Sequence, residues 1–67
     1  MLVKYIEHGI TRKEDQNGSF VDCDTRLMIG GLTYVVVRTE YKEASRDIKN
    51  RFIPAHAFIH IERVAHE

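Results

Sequence analysis

The sequence predicts a mainly β protein of five short strands curled into one small barrel. Three observations predict it. Residues 20 to 29, FVDCDTRLMI, alternate apolar and polar side chains with a period of two, the pattern of a half-buried strand. Gly30-Gly31 then forms a two-residue hairpin connection, and LTYVVVRTEY resumes the strand pattern at once. Beyond Pro54, Ile59 and Ile61 alternate with Phe58, His60 and Glu62, which a helix would scatter around its surface.

The first element is LVKYIEH, residues 2 to 8. Its valine, tyrosine and isoleucine suit a pleated surface, although Leu2, Ile6 and Ile10 repeat every four and leave helix open. TRKEDQNGS, residues 11 to 19, is polar and contains Asn17-Gly18. Both residues tolerate positive φ, so a mobile loop with a turn near its end is expected. Residues 20 to 29 are the second strand, with Val21, Cys23, Thr25, Leu27 and Ile29 on one face and Asp22, Asp24 and Arg26 on the other. In the third strand, 32 to 41, the centre from Tyr34 to Val37 is apolar on both faces, as a central strand requires. KEASRDIKN, residues 42 to 50, is charged and reads as a second mobile loop. Ala44 and Ile48, four apart, also allow a turn or two of helix.

Pro54 removes a backbone donor and disfavours helix at Ile53, although a proline is welcome in a helix's first turn. The reading is a short strand at 51–53, a 3₁₀-like turn over 54–56 and a final strand over 57–64, with a fraying end after it. The 67 residues make a single domain, 1–67.

RFIPAHAFIHIERV resembles the last two strands of the Sm-like family, where a short strand, a one-turn kink and a final strand with alternating isoleucines close a barrel of the SH3-like type. The resemblance covers the chain from Phe20 onward. It implies a ring- or dimer-forming barrel and makes RNA a candidate ligand. No RNA-contacting residue carries over position by position.

A domain of this size buries only about 60% of the surface its unfolded chain exposes, so it commonly needs a staple. The single cysteine excludes an internal disulfide and suits a reducing compartment. Self-association is the remaining route, so a homo-oligomer is expected. Ten basic and ten acidic residues give zero net charge, which argues against a surface wholly committed to nucleic acid. No apolar run approaches the roughly 20 residues of a membrane span, and the first residues lack a signal-peptide pattern. A cytoplasmic protein with no membrane partner is the expectation.

The candidate ligand site is basic. Lys42, Arg46, Lys49 and Arg51 fall within ten positions, and Arg12 and Lys13 lie in the other polar segment. If both segments meet at one end of the barrel, they form a patch for the phosphates of RNA or single-stranded DNA. Tyr41 and Phe52 flank the charged loop and could stack bases. Glu43 and Asp47 interleave and cancel half the charge, which suits a solvated loop or a protein partner instead. Other chemistry is thinly represented. His56 and His60, with His66, lack the glutamate and fourth ligand of a zinc site. Cys23 lies between two aspartates that would raise a thiol pKa, so it reads as buried and structural. Asp22 and Asp24 read as a solvated strand face beside Arg26. No catalytic set, metal or cofactor is expected, and the protein is not expected to be an enzyme.

Overall fold

The computed structural model describes residues 1–64. Seven strands form in chain order: β1 Leu2–Glu7, β2 Ile10–Asp15, β3 Arg26–Ile29, β4 Leu32–Lys42, β5 Ser45–Arg46, β6 Phe52–Ile53 and β7 His56–Arg63. Five make one mixed sheet in the order β2-β1-β7-β4-β3, curled into a half-barrel. The short β5 and β6 pair with each other outside it. The fold is mainly β, and the described residues contain no helix.

Two tight hairpins build the flanks. His8 and Gly9 both take positive φ, 49° and 78°, and join β1 to β2; Gly30 and Gly31, at 59° and 81°, join β3 to β4 as expected. Positive φ at both central residues matches the right-handed twist of the strands they connect. Between these hairpins runs β7. It pairs parallel to β1, from Leu2 opposite His56 to Ile6 opposite His60, and antiparallel to β4, from Lys42 opposite His56 to Tyr34 opposite Arg63. The final strand is thus the centre of the sheet, and its alternation is the clearest in the chain because neighbours flank it on both sides.

The core lies on one face of the curl. Val3 of β1, Tyr34 and Val36 of β4, and Ala57, Ile59 and Ile61 of β7 are buried, and Met1, Tyr5, Val21, Leu27 and Ile29 pack around them. The segment 16–25 crosses this face. Gly18 sits so close to Val3 that a Cβ there would meet Val3 Cγ2 at 2.7 Å, and its N–H donates to the Met1 carbonyl at 3.0 Å. The segment is held further along where Asp24 N–H donates to the Val36 carbonyl and Val36 N–H to that of Thr25, both at 2.9 Å.

Several expectations change. Residues 10–15, read mostly as loop, are the edge strand β2. Five of its six side chains are exposed, so no apolar alternation announces it. Residues 20–25, read as strand, are not; Asp24 takes φ 68°, which breaks the extended run. Cys23 is exposed rather than buried, and Asp22 and Asp24 share no strand face. Pro54 and Ala55 join β6 to β7 without a 3₁₀ turn. The five-stranded sheet curls as a half-barrel, consistent with the small β-barrel expected, with β2 and β3 as its two edges. Of the carboxy-terminal residues read as fraying, 65–67 lie outside the described residues, His66 among them.

Candidate functional site: a projecting hairpin arm

The segment read as a charged loop is a hairpin arm. β4 and β7 stop pairing at Lys42 and His56, and the chain continues outward as β5 and β6, with Ser45 opposite Ile53 and Arg46 opposite Phe52. The molecule measures 50 × 20 × 19 Å. β4 alone, at about 3.3 Å per residue, accounts for roughly 36 Å of extended chain, and the arm continues beyond its end.

The tip is built by Asp47. Its Oδ1 accepts the backbone N–H groups of Lys49 and Arg51, both at 2.9 Å, and its Oδ2 accepts Arg51 Nε at 2.7 Å. Its own N–H donates to the Arg51 carbonyl at 3.0 Å, and Asn50 N–H donates to the Asp47 carbonyl at 2.9 Å. Asn50 takes φ 61°, a left-handed position that asparagine tolerates. These bonds, led by the Arg51 backbone N–H, hold the Asp47 carboxyl below its ordinary range. The tip is therefore an ordered turn, and it presents Ile48 at 100% exposure. Phe52 is 63% exposed and Tyr41, at the base of the arm, 51%. Tyr41 meets Phe20 of the crossing segment edge-to-face, ring centroids 6.3 Å apart.

The expected basic residues divide into two groups. Tyr41, Lys42, Arg46, Lys49 and Arg51 all belong to the arm or its base. Two of the cations are already engaged: Arg51 with Asp47, and Arg46, whose Nη1 donates to the Asn50 carbonyl at 3.1 Å. Arg12 and Lys13 lie instead on the β2 edge, with β1 and β7 between them and β4. Arg12 Nε donates to Oε1 of the buried Glu7 at 2.9 Å, and Lys13 Nζ stands 5.8 Å from the centre of the Tyr5 ring. Burial first, and then the nearby Asp15 charge, raise the Tyr5 pKa above its ordinary value. These two cations serve the sheet edge and do not join the arm.

The histidines also have other work. His56 and His60 are four apart on a strand, about 13 Å along it, too far to share an ion. His56 Nδ1 lies 3.2 Å from the Pro54 carbonyl. His60 Nε2 lies 3.1 Å from Glu40 Oε1 and 3.2 Å from Arg38 Nη2, in a three-residue network on the face opposite the core. Among the described residues, no three His, Cys, Asp or Glu side chains gather as a metal site, and no helix is long and apolar enough to cross a membrane.

Sequence reasoning missed Ile48, the most exposed apolar side chain of the arm. The available signal was an isoleucine isolated among charged residues, which was used only as a helical spacing from Ala44. What the fold defines is a small β protein on a curled, five-stranded mixed sheet from which one ordered hairpin projects. Compared with protein-family models, curated proteins and solved structures, the chain finds no match.

Proposed function

We propose that this protein is a small, non-enzymatic interaction module that associates with itself, using the arm as a principal contact. One observation carries the reading. Among the described residues six side chains form the buried apolar core, whereas Ile10, Phe20, Met28, Leu32, Val37, Tyr41, Ile48, Phe52 and Ile53 are large, apolar and exposed. A chain with so small a core gains stability from covering such surface with a partner. Kinship with small SH3-like or Sm-like barrels belongs to the same proposal. The curled sheet and its proline-linked last two strands support that kinship.

A second reading rests on a separate observation: Lys42, Arg46, Lys49 and Arg51 share one arm with the exposed rings of Tyr41 and Phe52. Single-stranded nucleic acid is the ligand that such an arm would take, with phosphates on the cations and bases on the rings. The engagement of Arg46 and Arg51 within the arm weighs against it.

Sedimentation velocity over a range of protein concentrations, with and without a mixed-sequence single-stranded oligonucleotide, separates the two. The expected result is a mass that rises above the 7.8 kDa of one chain and ignores the oligonucleotide. A monomer at every concentration that binds oligonucleotide, with an affinity falling steeply as salt rises, would replace this reading with the second.

A further inference from the structure

We infer that the arm is reciprocal: the tip of one copy lies on the Phe20–Asp24 segment of a second copy, whose own arm returns the contact. The inference rests on the assembly reading above and adds its partner, its two surfaces and its symmetry.

The arm offers an apolar centre with a positive rim. Ile48 is the centre, uncovered by its own chain. Residues 42–51 carry four basic and two acidic side chains, a net charge of +2, so the rest of this neutral chain carries −2. The crossing segment offers the complement. Phe20 is exposed on it, and Glu14, Asp15, Asp22 and Asp24 surround it in sequence without a single lysine or arginine from 14 to 25. Apolar centres with rims of opposite charge are how interfaces set orientation and reject wrong partners.

Reach commits the contact to a second chain. Phe20 packs on Tyr41, at the base of its own arm. Ile48 lies seven residues further out, at most about 23 Å away in extended chain. The Asp47 hydrogen bonds hold the tip as a turn, β5 and β6 pair only with each other, and Ile48 at 100% exposure touches nothing of its own chain, Phe20 included. The tip of a second copy can reach it. Two arms laid antiparallel about a two-fold axis place each tip at the other's base. Both contacts then form at once and the assembly closes as a dimer. A standard interface removes about 800 Å² from each partner. That is roughly one sixth of the 4991 Å² this chain exposes.

The test is the dissociation constant from sedimentation velocity for the wild-type chain, Ile48→Asp, Lys49→Glu, Asp22→Lys, and an equimolar mixture of the last two. Ile48 has no cover to lose, so circular dichroism should match wild type. The expected results are a wild-type dimer, about tenfold or greater weakening by Ile48→Asp, and weaker dimers from each charge reversal alone. The mixture should recover wild-type affinity, because in the mixed dimer both contacts again oppose unlike charges. An oligomer that Ile48→Asp leaves intact would overturn the arm contact, here and as the principal contact of the assembly reading, while self-association itself stands. Weakening by Ile48→Asp without recovery in the mixture would overturn the Phe20–Asp24 segment as the receiving surface. A monomer throughout would overturn both.

Discussion

At the scale of single residues, two positions test how the small core is held. Gly18 is required by close approach rather than by its dihedral angles. The Cβ of an alanine would stand 2.7 Å from Val3 Cγ2 and 3.0 Å from Val3 Cβ, and Val3 is fully buried. Either the crossing segment lifts or Val3 moves, so Gly18→Ala is expected to cost about 1–3 kcal/mol in urea denaturation. Glu7 is the one buried charged residue among those described, and Arg12 is its partner. Arg12→Ala leaves that carboxylate without its strongest donor. A loss of about 1–2 kcal/mol is expected, below the figure for a fully buried pair because Arg12 remains partly exposed. If Arg12→Ala instead left stability unchanged and removed oligonucleotide binding, the arginine would belong to a ligand site and not to the sheet edge.

At the scale of elements, the arm tip should respond to acid. Asp47 has a carboxyl pKa lowered in the folded state, so its support is fully present above the ordinary carboxylate value of 3.8. That support is lost as pH falls through the depressed folded value. Amide exchange at Lys49 and Arg51 should therefore accelerate below pH 3.8, relative to intrinsic rates, before amides of β7 do. Asp47→Asn should show the faster exchange already at neutral pH.

The elements also show what the sequence could reveal. The glycine hairpin, the central strand around Tyr34 to Val37 and the final alternating strand were all legible, because each depends on local backbone chemistry or on burial from both sides. Pro54 rightly counted against helix. The edge strand β2 was hidden because an exposed edge places no demand on its side chains. Residues 20–25 misled in the opposite direction: they alternate as a strand does, yet Asp24 at φ 68° turns the chain out of the ladder. Nothing local signals the parallel pairing of β1 with β7, since it joins residues more than fifty positions apart. The arm was legible as a charged segment with Tyr41 and Phe52 beside it. Its hairpin form was not, because Asp47 reaches Arg51 through hydrogen bonds that composition does not encode.

At the scale of the whole molecule, charge is neutral in sum and divided in space. The reciprocal dimer should therefore weaken as salt rises, yet persist in part, because Ile48 on Phe20 is insensitive to screening. Cys23 supplies a direct check. It is exposed, it is the chain's one cysteine, and it lies inside the proposed receiving segment. Its alkylation by iodoacetamide should slow as protein concentration rises, and Ile48→Asp should abolish that slowing. Alkylation at one rate across all concentrations would place Cys23 outside any contact.

The position of β7 has a consequence for how this protein is made. A ribosome delivers β1 and β2, then β3 and β4, as two hairpins with nothing between them. Each has an unsatisfied edge where the central strand belongs, and Val3 and Val36 have no Ile59 or Ile61 to meet. The sheet can form only when residues 56–63 emerge, so folding waits for the last of its strands. An unfinished copy has no partial fold to shelter in, and two nascent hairpins on neighbouring ribosomes present the same empty slot to each other.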